Sequence, residues 1–137
     1  MSTYGKEVDI IGPKKHLYIT SFPPERVHEV CTLMTLCYFI PSVPQSNFLS
    51  LTLCPSNQII HPGRVYGFFK DWDMKTPFNK KDIPLLYEDL DDKSAQEIQY
   101  LDDEIQATKA ALLKKYPALD LSQVMPLKDR VCTMYEG

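Results

Sequence analysis

Between Asn57 and Gly67 the chain reads Asn-Gln-Ile-Ile-His-Pro-Gly-Arg-Val-Tyr-Gly, where a titratable residue, two amides and backbone-breaking residues meet an apolar run. His61 is the candidate for chemistry. It follows Ile59 and Ile60, which predict burial, and Pro62 biases it away from right-handed helical geometry. An imidazole held in an apolar wall has its proton affinity set by few neighbours, which suits a general acid/base working near pH 7. The structural alternative is a core histidine hydrogen-bonded to a backbone carbonyl.

The elements that would position His61 begin at Asn47, which is expected to cap a run containing Phe48, Leu49, Leu51 and Leu53. That run is apolar on nearly all sides, as at the centre of a domain. Pro55 is expected to interrupt or kink it before Ile59-Ile60-His61-Pro62. On this reading Asn57 and Gln58 place amides inside a dry element, and each interior proline costs roughly 3 kcal/mol. Local rules that fail together mark a functional site. Asn57, one helical turn before His61, is a candidate to orient the histidine or a substrate. Beyond the apolar stretch Gly63 to Phe69, the segment Lys70 to Phe78 is a loop rich in charge and aromatics. Its Trp72 reads equally as a residue lining a cleft and as an aromatic surface plug.

Upstream, Glu7 to Ile11 and Leu17 to Phe22 read as two short strands around the turn Gly12-Pro13-Lys14-Lys15. A lone hairpin is marginal in water, so these strands call for a larger sheet. Pro23-Pro24-Glu25 starts a helix with proline in its first turn, and Val27, Val30, Cys31, Met34 and Tyr38 supply its buried face. Pro41 to Ser46 is a stiff loop. Downstream, Asp91, Asp92 and Ser94 lead into a long amphipathic helix from Ala95 to about Tyr116. Ile98, Leu101, Ile105, Ala107, Leu112 and Leu113 approximate its apolar face, and Glu97, Asp102, Asp103, Glu104, Lys109, Lys114 and Lys115 are expected to be solvated. Its acids come early and its lysines late, as the helix dipole prefers. Such an acidic cluster is a solvated face before it is a metal site. Pro117 ends the helix, and Pro126 to Tyr135 opens another.

At 137 residues with 44% hydrophobic content the chain has the size and composition of one globular domain. Its net charge of -3 offers no basic stripe, which argues against a nucleic-acid partner. Cys31, Cys37, Cys54 and Cys132 form no CxxC pair and lack a histidine at zinc-finger spacing, so no metal site is expected and reduced thiols of a cytoplasmic protein are. Met1 to Lys6 precedes no apolar signal region, and Pro41 and Pro44 interrupt the most apolar stretch, so no membrane partner is expected.

The run Asn57-Gln58-Ile59-Ile60-His61-Pro62, then Val65-Tyr66-Gly67, Asp71-Trp72-Asp73 and Pro84-Leu85-Leu86-Tyr87, resembles the substrate-binding domain of the octopine/opine dehydrogenase family. Tyr4 to Gly12 is similar to the last strand region of that family's nucleotide-binding domain. The resemblance implies a mainly α fold: a helical substrate domain of the 6-phosphogluconate-dehydrogenase C-terminal-like type, preceded by a short β-hairpin left over from a Rossmann domain. It divides the chain into residues 1–22, the end of the nucleotide-binding domain, and 23–137, a partial helical substrate-binding domain. Members of the family condense an α-keto acid, typically pyruvate, with the amine of an amino acid and reduce the imine with NADH or NADPH. By this resemblance His61 matches the family's catalytic histidine; Asn57 is a candidate to orient it or the substrate, and Trp72, from its place in the aromatic loop, a candidate substrate contact. The chain contains no GxGxxG, so the resemblance implies that cofactor binding belongs to a missing Rossmann domain of the full-length parent, with none bound by this chain alone. The family also pairs its histidine with a carboxylate from a later part of the second domain, to which no clear match is present. The expectation is therefore a fragment that is inactive in isolation. Two other readings stand beside it: a non-catalytic helical interaction module from a truncated paralogue, and a relative of the similar second domains of ketopantoate reductase and glycerol-3-phosphate dehydrogenase.

Overall fold

The computed structural model describes residues 5–7 and 12–135. In chain order the elements are strand β1 (Leu17–Ile19), a 3-10 turn (Pro24–Arg26), helix α1 (Val27–Tyr38), strand β2 (Ser42–Pro44), helix α2 (Phe48–Thr52), helix α3 (Ser56–Phe69), a 3-10 turn (Lys80–Asp82), helix α4 (Asp92–Lys115) and helix α5 (Leu127–Met134). The fold is mainly helical, as the sequence implies.

The short sheet differs from the expected hairpin. β1 pairs in parallel with β2, Leu17 opposite Ser42 and Ile19 opposite Pro44. The segment read as a stiff loop thus contains a strand, and α1 becomes the crossover that a parallel pair requires. The first strand of the expected hairpin lies almost wholly outside the described residues. α1 buries Cys31 and half-buries Val27, Val30 and Met34, but Tyr38 points to solvent. The helix ends at Phe39, whose φ of 54° is left-handed.

Asn47 caps α2 as its residue type predicts, its side chain accepting from Ser50 N at 2.9 Å. The long kinked core helix does not form. α2 stops after five residues, and Phe48 and Leu51 face solvent. Pro55 sits at the N-cap of a separate α3 and costs no hydrogen bond there. Asn57 and Gln58, expected inside a dry element, are exposed on the first turns of α3. Pro62 alone is an interior proline, and His61 before it is helical after all. The packing that holds α3 against α4 thereby overrides the local bias of a residue before proline.

That packing depends on two glycines four residues apart. A Cβ on Gly63 would meet Ile98 Cγ1 at 2.7 Å and Ile98 Cα at 3.1 Å, and one on Gly67 would meet Ser94 Cα at 2.4 Å. The absence of side chains at these positions lets the two helix backbones approach. Lys70 and Glu97, paired at 2.9 Å, tie the C-terminal end of α3 to the same face of α4. α4 itself begins at Asp91, whose side chain accepts from Ser94 N at 2.8 Å. Its mostly polar face has one exception. Asp102, expected to be solvated, is buried and accepts from Leu127 N at 2.9 Å, so it supplies the capping acceptor that Pro126 cannot give to α5. Leu121, Val124, Leu127 and Met134 are buried in and around α5, and Arg130 reaches back to the carbonyl of Cys54 between α2 and α3.

Candidate functional site

His61 sits in the second turn of α3, half-buried, with its Nε2 2.6 Å from the hydroxyl of Tyr87. Neither sequence reading anticipated this partner. The imidazole is neither enclosed in an apolar wall nor bonded to a backbone carbonyl. Its ring meets the phenol edge-on, with centroids 5.7 Å apart.

Tyr87 belongs to the irregular segment between the 3-10 turn and α4, and a buried arginine holds that segment down. Arg64, one helical turn after His61, is 3% exposed. Its guanidinium pairs with Asp91, donates to Ser94 Oγ at 3.0 Å and reaches the carbonyls of Asp89 at 3.0 Å and Glu88 at 3.4 Å. Asp89 adopts a φ of 52°, a left-handed conformation that aspartate tolerates. Five donors in a planar fork suit a guanidinium to such a divergent set of acceptors. The Asp91 carboxyl is lowered to about 2, first by the backbone N–H of Ser94, then by the Ser94 hydroxyl, with the Arg64 charge contributing. The charge at this helix start is thus fixed across ordinary pH, and the carbonyls beside Tyr87 are anchored to the helix that carries His61.

Behind the pair lies an apolar groove of about 350 Å³ between α3, α4 and α5, lined by Ile60, Leu86, Tyr87, Leu90, Ile98 and Val131 among others. Tyr87 forms part of its rim. Asn57 shares the His61 face of α3, four residues earlier, and is exposed. Trp72 is placed elsewhere. Its Nε1 donates to Thr76 O at 2.7 Å, and its ring packs on Phe69 and Phe78 with centroids 6.0 and 5.1 Å away. Phe69 is eight residues along α3 from His61, roughly 12 Å at 1.5 Å per residue. Trp72 therefore closes its own loop, which Asp73 also braces by accepting from Lys75 N and Thr76 N. These backbone bonds keep the Asp73 carboxyl below its usual range.

The sequence reading missed Arg64 and the pairing role of Tyr87. One signal was available: an arginine between Gly63 and Gly67 in an otherwise apolar run is a charge that must find partners if the glycines face another helix. The turn after β1, Thr20 to Pro24, contains no glycine, and the Ser21 hydroxyl is committed to Pro23 O at 2.8 Å. These residues do not fit the glycine-rich cradle of a dinucleotide pyrophosphate. Among the described residues no group of three or more His, Cys, Asp or Glu could hold a metal ion, and no helix is long and apolar enough to cross a membrane.

The model of the family described as NAD/NADP octopine/nopaline dehydrogenase, alpha-helical domain, matches residues 44–137. An opine dehydrogenase of Haliotis discus hannai is 38% identical over 89 residues, covering 65% of this chain and 21% of that protein. An octopine dehydrogenase of Mizuhopecten yessoensis is 28% identical over 123 residues, covering 88% of this chain and 30% of that protein. The chain thus spans less than a third of the length of either relative. No solved structure matches it.

Proposed function

This chain belongs to the octopine/nopaline dehydrogenase family through that family's alpha-helical domain, and we propose that it carries the acid/base part of an opine dehydrogenase active site. The observation that supports this reading is His61, half-buried and hydrogen-bonded to Tyr87, which itself lines an apolar groove, in the part of the chain that matches the family. The family is NAD/NADP-dependent by its description. On this reading the parent enzyme condenses an α-keto acid such as pyruvate with an amino acid and reduces the imine, acting on a CH–NH group.

That reaction needs a proton shuttle beside the carbonyl carbon, because water is lost and hydride is added at one atom. His61 holds and moves that proton, and Asn57, on the same exposed face of α3, contacts the substrate. Trp72 is left out, since its indole N–H and ring are used by its own loop. The dinucleotide is held by sequence outside these 137 residues. The family match from residue 44 and the parallel pairing of β1 with β2 across α1 support a nucleotide-binding part ahead of the helical one, with the division later than the boundary between residues 22 and 23 that the resemblance implies. Large side chains exposed on α1 and at its end, Leu33, Leu36 and Phe39, support further protein packing there.

The test is His61→Asn in the full-length enzyme. Loss of two or more orders of magnitude in kcat, with little change in Tm, is the result expected for an acid/base residue. Activity within a few-fold of wild type would overturn the assignment.

A further inference from the structure

We infer that Tyr87 is the positioning residue of His61, its hydroxyl donating to Nε2 and so fixing the neutral imidazole as the Nδ1–H tautomer. This rests on the reading of His61 as the acid/base. The carrying observation is the 2.6 Å contact between the phenol oxygen and Nε2, across 26 residues of sequence. A phenol is the stronger acid of the two and a neutral imidazole nitrogen the better acceptor, so the favoured pairing is O–H to Nε2. Whichever nitrogen accepts is the one without the proton. The remaining proton then lies on Nδ1, which makes no hydrogen bond to the described residues; it passes to a substrate oxygen only as Nε2 takes the Tyr87 proton, the phenolate being reprotonated from water. In the imidazolium both nitrogens donate, and the phenol rotates to accept from Nε2–H. One contact therefore orients the ring in both charge states, a task for which the family resemblance implies a carboxylate.

The surroundings support this assignment. The charged groups near the pair are Arg64 on α3, Glu88, Asp89 and Asp91 in the segment that follows Tyr87, Asp102 on α4 and Lys128 on α5. Arg64 is occupied by Asp91, Ser94 and two carbonyls, and Asp102 by Leu127 N. His61 has no carboxylate partner among the described residues. The Arg64 clamp on the carbonyls of Glu88 and Asp89 holds Tyr87 in place without touching the imidazole.

The experiment is nitrogen-15 NMR of the histidine side chains in the 137-residue chain above pH 8, with His61 assigned by its loss in His61→Gln and with His16 and His28 as internal references. The result expected is a predominantly Nδ1–H tautomer for His61 in the wild-type chain. In Tyr87→Phe, which keeps the ring and removes only the hydroxyl, His61 moves toward the Nε2–H form, while His16 and His28 are unchanged. A predominantly Nε2–H His61 in the wild-type chain overturns the inference, as does a tautomer ratio identical in a folded Tyr87→Phe. Should that variant not fold, the wild-type measurement decides alone. Because turnover is not used, a failure here is distinct from a failure of the catalytic assignment, which the activity of His61→Asn decides.

Discussion

Gly67 and Ser94 face each other so closely that a Cβ on the glycine would lie 2.4 Å from Ser94 Cα and 2.7 Å from its amide nitrogen. The obstacle is backbone, so no rotamer change relieves it. Gly67→Ala is expected to push α3 from α4 and to cost about 1–3 kcal/mol or more, the range for overpacking. Chemical denaturation measures it. A variant as stable as wild type would mean the helices are not in this register.

Arg64 is the residue on which the Tyr87 segment depends. Arg64→Ala leaves the Glu88 and Asp89 carbonyls and the Ser94 hydroxyl short of a donor, and a loss of about 2–4 kcal/mol is expected, below the full cost of breaking a buried pair because Asp91 is partly exposed. Arg64→Lys should recover little, since one ammonium cannot serve acceptors on diverging sides. Recovery of wild-type stability by lysine would show that charge alone matters at this position.

Asp91 makes the fold sensitive to acid. Its carboxyl is held at about 2 when folded, chiefly by Ser94, against roughly 3.9 when unfolded. The unfolded chain therefore binds the proton first, and the stabilisation is complete above about pH 4 and lost as pH falls toward the folded value. Asp91→Asn should flatten the dependence of stability on pH in that window, and Ser94→Ala should raise the Asp91 carboxyl in a carbon-13 titration. An unmoved Asp91 titration in Ser94→Ala would count against the cap.

Asp102 joins α4 to α5 through the Leu127 amide. Removing it as Asp102→Ala deletes the cap acceptor of α5, with an expected loss of about 1–2 kcal/mol. Amide hydrogen exchange should show the first turn of α5 opening more readily. Unchanged protection of the Leu127 N–H would contradict the assignment.

The turn after β1 bears on the isolated chain. Mixed with NADH, pyruvate and a panel of amino acids, the 137 residues are expected to oxidise no NADH above the rate in buffer. Steady turnover would show that a dinucleotide finds a site among these residues despite the missing glycine-rich turn.

The sequence by itself determined the elements whose signals are local. Asn47 marks a helix start because a short polar side chain accepts from the backbone a turn later, and it does so; Asp91 caps α4 in the same way, but the helix starts at Asp92, three residues before the expected Ala95. The long helix ends where Pro117 follows, and Pro126 opens α5. The residues around His61 were also enough to suggest the family. What only the tertiary structure decided are contacts between segments distant along the chain. The parallel pairing of β1 with β2 turned an expected loop into a strand. The approach of α3 to α4 made two glycines a packing surface, and Asp102 left the solvated face because α5 folded back over it. His61 and Tyr87 meet 26 residues apart because Arg64 anchors the intervening chain. Caps and periodicity act over one or two turns, whereas burial and hydrogen-bond partners depend on which surfaces meet, and no local pattern encodes that.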